Sequence, residues 1–600
     1  MVDSMRPGAG ISPVSRRTLL KAAGVAAAGT ALAGAGRFTA RATPGSGATR
    51  VAVLGGGVAG LTAAHELAER GFSVTVYERK AFGGKAKSMY VPGTGSGGRR
   101  DLPGEHGHRG YFGFYRHLPD TLGRIPFPGN ANGVLGNLET LADVSLARAG
   151  RLPDWVLTDP IHTPDLITID SIRQMLLGTL VHAVFIPPWE AAYVVDRILV
   201  YLTSCDERRY GQWEYLSWWD YLGASARTID YQRVFGGSAQ IIQALKAQTA
   251  SARTAGQGIE SILFSGYLQL PGSSGPLNRV MNAPTNEAWI DPWIRYLESL
   301  GVEFRLPAEV VGLDLDGDRI GGARVRGPGG TESVDADWFV LAVPLERATP
   351  LLTTSELAAR DPQFENLKKL QTSWSNGIQY YLNREPAVLR GHVAHIDSPW
   401  KLVSLPQGQI WRENFSQTWG SGREKDCLSV VISDWVEEPG VLHGKPASRC
   451  TPQQIAEDAW EQMKRHVNDS GTQVLTDDMI ESYFIDPAAQ GLGTDEPYND
   501  ERYFLNTVGS WNLRPTAHTA VPNLFLAADY VQTPKNIDFT SMEAANEAGR
   551  HAVNALLDTA GSREPHAALF DGYRPPELEP LKAVDRARYL AGQPNILDIG

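Results

Sequence analysis

The sequence predicts an α/β protein in which a parallel-sheet domain, assembled from separated stretches of chain, accepts an inserted α+β domain. Three observations support this fold class. Near the start, a short apolar run is followed by a glycine-rich turn, a helical pattern and a second apolar run. Near the end, a strand pattern closes in an acidic residue and leads into another helix. The 600 residues leave room for two or three domains with a large core.

The N-terminal residues have the pattern of an export signal. The segment SRRTLLK sets Arg16 beside Arg17, an Ala/Gly-rich run follows, and small residues end it at 40–42. A basic start, a modest apolar run and a small-residue exit make a signal peptide, whereas a bilayer span needs about 20 apolar residues. Residues 1–42 are therefore predicted to be a signal peptide, and residues 43–50 a linker. A disordered, Ala-rich N-terminus is the alternative.

Charge and cysteine content exclude several classes of function. The formal net charge of −11 argues against a general nucleic-acid-binding surface, which would be basic. Cys205, Cys427 and Cys450 are far apart in sequence and lack metal-type spacing, so we expect neither a metal site nor a disulfide framework. Low cysteine use is consistent with folding in a reducing cytosol before export.

The first motif lies in VAVLGGGVAGLTAAHELAERGFSVTVYER. Residues 51–54 are an apolar run typical of a buried parallel strand. In the G-x-G-x-x-G that follows, Gly55 permits a tight turn, Gly57 lets a pyrophosphate approach the backbone, and Gly60 lets helix and strand pack closely. Glu78 ends the second strand pattern, where its carboxylate can accept hydrogen bonds from ribose hydroxyls. This order of strand, glycine motif, second strand and acidic residue predicts dinucleotide binding. Whether the dinucleotide is NAD or FAD is open at this point.

A second glycine pair follows immediately. Gly83, Gly84 and Lys85 lie in ERKAFGGKAKS, just beyond Glu78. Adjacent glycines let a backbone turn sharply. Such a turn suits a close approach to a cofactor, and a flexible loop explains it equally well.

The far end of the chain carries a third motif, PNLFLAADYVQTPKNIDFTSMEAANEAGRHAVNALL. Asp529 closes a short strand pattern, where a carboxylate can bind sugar or ribityl hydroxyls. The segment TSME, from Thr540 to Glu543, reads as a capping box in which Thr540 caps the helix and Glu543 reaches back. Backbone N–H groups of Met542 and Glu543 at this helix start would stabilise negative charge on a cofactor above them. The alternative is an ordinary capped surface helix.

Taken together, these motifs resemble the FAD-dependent desaturase and flavin amine oxidase superfamily, specifically its phytoene desaturase-like branch. The likeness extends from about residue 50 to 560 and includes an R-x-G-G-(R/K)-like continuation and a closing LAADY…SMEAA. It implies FAD, held non-covalently, because Cys450, the cysteine nearest the closing motif, is remote in sequence. His108 departs from the bulky apolar residue usual in relatives. The cofactor-binding residues are then Gly55, Gly57, Gly60, Glu78, Gly83, Gly84, Lys85, Val310 (by backbone contacts to adenine), Asp529, Met542 and Glu543.

The resemblance also implies a domain plan. It predicts a Rossmann-like FAD-binding domain of the discontinuous GR2 type, with an inserted α+β substrate-binding domain. The C-terminal tail has no assigned structure. The expected boundaries are 51–115, 285–350 and 506–560 for the FAD-binding domain, 116–284 and 351–505 for the substrate-binding domain, and 561–600 for the tail.

The implied reaction is desaturation of a hydrophobic, isoprenoid-like substrate, in which a CH–CH unit loses a hydride to flavin N5 and a proton to a base or water. Such chemistry needs a dry, shaped channel and few side chains. His106 is a candidate proton acceptor. Arg514 is a candidate for orienting a polar substrate end or the pyrimidine edge of the flavin. The alternative for His106 is a structural histidine whose hydrogen bonds are satisfied within the protein. The alternative for Arg514 is a structural salt bridge.

The superfamily resemblance implies two partners, a hydrophobic small molecule and an electron acceptor such as oxygen or a quinone. The twin-arginine translocation machinery is a third expected partner, because SRRTLLK resembles the bacterial twin-arginine motif. That route carries folded cargo, so we expect export to the extracellular space or cell envelope, and no nucleic-acid partner. The Trp-rich portion 175–222 favours a lipophilic tunnel or plain core, and shallow contact with a membrane surface is open.

Three rival functions remain open. Amine and amino-acid oxidases of the superfamily commonly carry an aromatic residue just before the Met of the closing motif, where this chain has Ser541. A redox-neutral isomerase or a hydroxysqualene dehydroxylase-like enzyme would use the same cofactor with a different net reaction. A flavin-binding protein without turnover is the third.

Overall fold

The structure is a computed structural model, and it describes most of the chain. The described residues are 49–141, 143–150, 154–157, 167–183, 186–468 and 471–598. The predicted signal peptide, residues 1–42, and the predicted linker up to residue 48 lie outside them.

The described residues form a mixed α/β structure. The strands are β1 Arg50–Leu54, β2 Ser73–Tyr77, β3 Ser88–Val91, β4 Leu102–Glu105, β5 Leu138–Thr140, β6 Asp143–Ala147, β7 Asp154–Leu157, β8 Arg279–Met281, β9 Glu303–Arg305, β10 Glu309–Asp316, β11 Arg319–Gly327, β12 Gly330–Val334, β13 Trp338–Leu341, β14 Gln371–Ser373, β15 Asn376–Leu382, β16 His392–His395, β17 Leu402–Pro406, β18 Asp426–Ile432, β19 Ile480–Ile485, β20 Ala489–Gln490, β21 Tyr498–Asn499, β22 Tyr503–Leu505 and β23 Leu524–Leu526. The α-helices are α1 Val58–Ala68, α2 His117–Arg124, α3 Ile169–Ala183, α4 Pro188–Leu202, α5 Asp206–Gly211, α6 Trp218–Tyr221, α7 Ile229–Tyr231, α8 Gly237–Gln243, α9 Ala252–Ser261, α10 Asp291–Ser299, α11 Leu345–Leu352, α12 Ser355–Arg360, α13 Phe415–Thr418, α14 Pro452–Val467, α15 Met542–Thr559 and α16 Glu579–Leu590.

A five-stranded parallel sheet combines both ends of the chain. Its order is β23-β13-β1-β2-β9, and every neighbouring pair is parallel. The carboxyl ends of parallel strands meet at one edge, which is where α/β sheets bind ligands. Gly55 and Glu78 directly follow β1 and β2, and Asp529 lies three residues after β23. The sheet therefore confirms the predicted α/β class and gathers predicted site residues from segments more than 400 residues apart.

The closing helix α15 packs directly on α1. A Cβ added to Gly549 would lie 2.6 Å from the carbonyl oxygen of Ala59, so only glycine allows the two helices to approach this closely. Beside this contact, the Asn546 Nδ2 donates to Thr62 Oγ1 at 2.8 Å and to Thr121 Oγ1 at 2.9 Å. The last helix of the parallel-sheet unit thus covers the helix that follows the first glycine motif.

A second, seven-stranded sheet has the order β19-β15-β18-β17-β16-β6-β7. Side chains of a strand alternate between its two faces. On one face, the Tyr380 hydroxyl donates to the carbonyl oxygen of Ala456 in α14 at 2.7 Å. On the other face, the Tyr381 hydroxyl donates to the carbonyl oxygen of Pro103 in β4 at 3.0 Å, and the Gln379 Oε1 accepts from the Glu105 N–H at 3.2 Å. The sheet therefore lies against the segment that follows the second glycine pair.

The C-terminal tail is part of the packed structure. The carboxylate of Asp585 in α16 is fully buried, where it accepts from the Cys205 N–H at 2.9 Å and from Arg208 Nε at 3.0 Å. The Phe570 N–H donates to His117 Nε2 at 2.9 Å. The tail, to which no structure was assigned from its sequence, thus joins α2 to the helices around residue 205.

The Trp-rich portion divides between core and surface. Trp213 and Trp218 are buried, whereas Trp189 is 69% exposed at the start of α4 and lines no interior. Within the described ranges, no helix combines the length and the apolar character needed to cross a bilayer.

Candidate functional site

The first glycine motif has three different steric environments. A Cβ on Gly60 would lie 2.0 Å from the carbonyl oxygen of Gly55, and Gly55 itself has φ +117°, with a Cβ position 2.5 Å from the carbonyl oxygen of Ala342. Both positions therefore require glycine for the fold itself. A Cβ on Gly57 would meet nothing closer than 3.9 Å. Gly57 thus leaves an open approach at the N-terminus of α1, where free N–H groups and the helix dipole favour a phosphate.

Glu78 is held at the edge of this motif. Its Oε2 accepts from the Gly56 N–H at 2.8 Å and its Oε1 from the Lys80 N–H at 2.8 Å. The Glu78 carbonyl oxygen accepts from the Ala308 N–H at 2.7 Å, which brings Val310, two residues further along β10, to the same end of the parallel sheet. The predicted ribose acceptor and the predicted adenine contact therefore lie near each other.

The second glycine pair joins the first and faces the closing motif. The Gly83 N–H donates to the Gly56 carbonyl oxygen at 2.8 Å, and both Gly83 and Gly84 have positive φ, +91° and +53°. The next residue, Lys85, places its Nζ 2.8 Å from Asp529 Oδ2. Burial lowers the pKa of Lys85, but the Asp529 carboxylate outweighs this effect and raises the pKa above its ordinary value. A charged lysine thus connects the second and third motifs.

The closing helix starts differently from the capping box that the sequence predicts. Ser541 is the N-cap, and its hydroxyl accepts from the Ala544 N–H at 3.1 Å. Thr540 does not cap, because its hydroxyl donates to the Phe504 carbonyl oxygen at 2.8 Å. The capping-box prediction is wrong because tertiary partners compete for both side chains. Met542 is the first residue of the helix, so its backbone N–H group does lie at the expected end.

Glu543 turns inward instead of capping the helix. Its carboxylate accepts from the N–H groups of Arg116, His117 and Leu118 at 2.8 to 2.9 Å and from Asn536 Nδ2 at 2.8 Å. His117 Nδ1 lies 2.9 Å from the same carboxylate. Burial raises the pKa of Glu543, but the hydrogen bond of His117 and the backbone donors lower it to about 2. The side chain thus fixes α2 against α15.

These residues fit a dinucleotide cofactor of the FAD type. The open side of Gly57 leaves room for a pyrophosphate. Gly55 and Gly60 leave no such room, because backbone oxygens lie against them. Asp529 Oδ1 is buried and has no hydrogen-bond partner in the described residues, although Oδ2 is paired with Lys85. A buried unpaired carboxylate oxygen costs free energy until it meets a donor, and a ribityl or ribose hydroxyl is such a donor.

His106 forms a buried pair with a residue that the sequence did not single out. Its Nδ1 lies 2.5 Å from Asp486 Oδ2 and 3.5 Å from Glu501 Oε2. Burial raises the pKa of Asp486, but the charge of the neighbouring His106 and the hydrogen bonds from the Ala488 N–H and Asn376 lower it to about 2, so the carboxylate is ionised at neutral pH. Glu501 Oε2 also accepts from Lys87 Nζ at 2.6 Å. His106 is thereby tied to the loop of the second glycine pair.

Arg514 has a different environment from His106. Its guanidinium is fully buried and donates to backbone carbonyl oxygens of Asp529, Tyr530 and Val531. It also donates to the carboxylate and carbonyl oxygens of Asp538, both at 3.3 Å. Five acceptors thus surround the five N–H donors of the side chain. This arrangement corresponds to the buried ion pair that the sequence left open as the alternative role.

Residues 50–154 match the family described as FAD dependent oxidoreductase, and residues 213–557 match the family described as flavin containing amine oxidoreductase. The second match covers more than half of the chain. A zeta-carotene desaturase from Synechocystis sp. is 24% identical over 544 residues, which cover 85% of this chain and 97% of that protein.

Solved structures support the same fold. An oxidoreductase from Methanosarcina mazei matches with a TM-score of 0.52 and 13% identity, covering 85% of this chain and 100% of its own. A putrescine oxidase bound to putrescine matches with a TM-score of 0.53 and 13% identity, covering 85% and 99%. At this identity the likeness shows the fold alone. The chain belongs to the flavin containing amine oxidoreductase family, as an FAD-dependent oxidoreductase.

Proposed function

We propose that this protein desaturates a CH–CH unit in a hydrophobic, isoprenoid-like substrate, with FAD held non-covalently as the hydride acceptor. The observation that carries the proposal is the pair formed by His106 and Asp486, because removing hydrogen from two neighbouring carbons requires a proton acceptor as well as a hydride acceptor. The similarity to a zeta-carotene desaturase over 85% of the chain supports it independently.

In this proposal the three motifs hold the cofactor. Gly57 receives the pyrophosphate at the start of α1, Glu78 the adenosine ribose, and Asp529 a ribityl hydroxyl. The backbone N–H of Met542, at the start of α15, would stabilise negative charge on the flavin. Bound FAD would supply hydride acceptance, with an electron acceptor such as oxygen or a quinone as the final oxidant.

His106 acts as the proton acceptor and Asp486 as its positioning residue. The His106 side chain is 10% exposed, and its buried Nδ1 lies 2.5 Å from the carboxylate of Asp486 without the angles of a hydrogen bond. An ionised carboxylate at Nδ1 fixes the ring and stabilises the imidazolium that forms when the other nitrogen takes a proton. Asn376 Nδ2 and the Ala488 N–H hold that carboxylate in turn, at 2.6 and 3.0 Å.

Changing Asp486 to Asn is expected to lower the rate of flavin reduction by substrate about 100-fold, the lower range for loss of general-base catalysis. Stopped-flow reduction under anaerobic conditions measures this rate. The buried Asp458→Asn in α14, remote from His106 in its contacts, is the matched control. An unchanged rate of flavin reduction in Asp486→Asn would refute the positioning role.

An amine oxidase is the second candidate, because the family match includes that activity. The position before Met542 argues against it, since Ser541 caps the helix there and provides no aromatic wall for an amine. Anaerobic mixing with polyenes and with amines, followed by admission of oxygen, discriminates the two. Loss of two hydrogens from a polyene supports desaturation, whereas peroxide release with amines alone would replace it by amine oxidation, and loss of oxygen or no mass change would indicate a dehydroxylase or an isomerase.

We also propose export by the twin-arginine route to the extracellular space or cell envelope. A cofactor site built from segments hundreds of residues apart needs a finished fold before translocation. Replacing Arg16 and Arg17 together by Lys is expected to leave yellow, flavin-loaded protein inside the cell, as measured by flavin fluorescence of cell fractions. Efficient export of that variant would contradict the route.

A further inference from the structure

A small, partly open cavity lies beside the segment that follows the second glycine pair, outside the cofactor and proton-acceptor residues. Its volume is about 10 Å³, enough for one water-sized group. Its walls come from the end of β4 and the segment after it, from β8 and the residues after it, and from the end of β17 and the turn after it. Its lining includes Glu105, Arg109, Tyr111, Thr285 and Gln407.

The charged residues of this cavity neutralise each other. Arg109 Nη1 donates to Glu105 Oε2 at 3.0 Å, and the Thr285 N–H and hydroxyl donate to Glu105 Oε1 at 3.0 and 2.9 Å. Glu105 is 2% exposed. A buried pair of opposite charges leaves no net charge for an ionic ligand, because a further ammonium or carboxylate group would be desolvated without a counter-charge.

Two residues that line the cavity each have a buried polar atom without a partner in the described residues. They are the Tyr111 hydroxyl and the Gln407 Oε1, in side chains whose residues are 1% and 7% exposed. Gln407 uses its Nε2 to donate to Glu105 Oε2 at 3.3 Å. This leaves one hydroxyl that can donate and one amide oxygen that can only accept. Leaving such groups unpaired in the interior is costly.

The cavity adjoins the predicted cofactor site. Arg109 Nη2 donates to the carbonyl oxygens of Lys85 and Lys87 at 2.9 and 3.0 Å, the residues directly after the second glycine pair. The residue that forms one wall of the cavity thus also supports the loop that the proposed function assigns to the flavin. The cavity and that loop therefore share the side chain of Arg109.

We propose that this cavity, the hydroxyl pocket, binds the terminal hydroxyl of an otherwise apolar substrate. The hydroxyl donates to Gln407 Oε1 and accepts from the Tyr111 hydroxyl, which satisfies both atoms without adding charge. The inference rests on the proposed function, since it defines the substrate class of that reaction as isoprenoid alcohols instead of pure hydrocarbons or amines.

The test compares three ligands of one chain length: farnesol, the corresponding hydrocarbon without the hydroxyl, and farnesylamine. Isothermal titration calorimetry on the flavin-containing protein as purified measures each Kd without requiring turnover. Wild type should bind farnesol about 10-fold more tightly than the hydrocarbon, the equivalent of one satisfied buried hydrogen bond. Tyr111→Phe and, separately, Gln407→Leu should remove this preference and leave the Kd of the hydrocarbon unchanged.

Tyr380→Phe is the matched control, because it removes a buried tyrosine hydroxyl of the seven-stranded sheet that already has a partner in α14, and it should keep the farnesol preference. Thermal unfolding of each variant verifies that the fold persists. Equal affinity for farnesol and hydrocarbon in wild type, or tighter binding of farnesylamine, would overturn the pocket and leave only an ordered water there. A hydroxyl preference without any dehydrogenation would keep the pocket and overturn the proposed function instead.

Discussion

Gly60→Ala is expected to give a protein that binds no flavin and is less stable by about 3 kcal/mol, the upper range for overpacking of a tight contact. The new Cβ would lie 2.0 Å from the Gly55 carbonyl oxygen and 3.2 Å from Ala342 Cβ. The first of these neighbours is backbone, so α1 itself must move away from the sheet. Chemical denaturation measures the stability, and flavin absorbance of the purified protein measures the cofactor content.

Gly57→Ala separates binding from folding. Its Cβ meets no atom within 3.9 Å, so we expect wild-type stability. The same methyl group stands where the pyrophosphate approaches the backbone, and it should weaken FAD affinity about 10- to 100-fold, which corresponds to 1–3 kcal/mol for one overpacked methyl. Gly329→Ala, with no atom within 4 Å and outside the site, serves as the control. An unchanged flavin content in Gly57→Ala would contradict the assignment of the pyrophosphate to the open side of Gly57.

The glycine motifs were predictable from sequence because their constraints are local. A sharp turn between a buried strand and a helix has few solutions, and each leaves glycines at fixed spacing. The order of strand, acid, loop and helix at the far end is local as well. Each of these segments therefore indicates its own structure, and the parallel sheet follows from joining them.

Asp486 was not predictable in the same way. It lies 380 positions after His106 along the chain, in a loop whose sequence, DPAAQGLG, has no feature that distinguishes it from other loops. Only the pairing of β19 with β15, and the contact of that sheet with the segment after β4, bring the two side chains together. Long-range packing of this kind leaves no periodic pattern in the sequence.

The helix start at Ser541 shows a third situation, in which a local pattern competes with tertiary partners. A threonine followed three residues later by glutamate is a capping-box pattern. Here a neighbouring strand offers Thr540 a carbonyl oxygen, and α2 offers Glu543 three N–H groups. Because α2 begins more than 400 residues earlier, the sequence around Glu543 contains no sign of this competition.

Glu543→Gln is therefore expected to destabilise the protein by about 3 kcal/mol at neutral pH. The carboxylate is buried, and its pKa falls from an ordinary value near 4.5 to about 2 in the folded state, a difference of this size in free energy. An amide keeps one acceptor oxygen but turns an NH₂ group toward the N–H donors of α2, and it loses the charge that strengthens those bonds. Chemical denaturation at a series of pH values measures the effect.

The difference in unfolding free energy between wild type and Glu543→Gln is expected to depend on pH. A carboxylate with a lowered folded-state pKa contributes stability that is fully present above the unfolded pKa and is lost as pH falls from about 4.5 toward 2. The difference between wild type and Glu543→Gln should therefore be widest at neutral pH and narrow over that acidic window. Glu457→Gln, on an exposed side chain of α14, should stay within about 0.5 kcal/mol of wild type. A stability difference that stays constant from pH 7 to about pH 2 would show that Glu543 contributes by shape alone. The charge of Glu543 would then not hold the closing helix to α2.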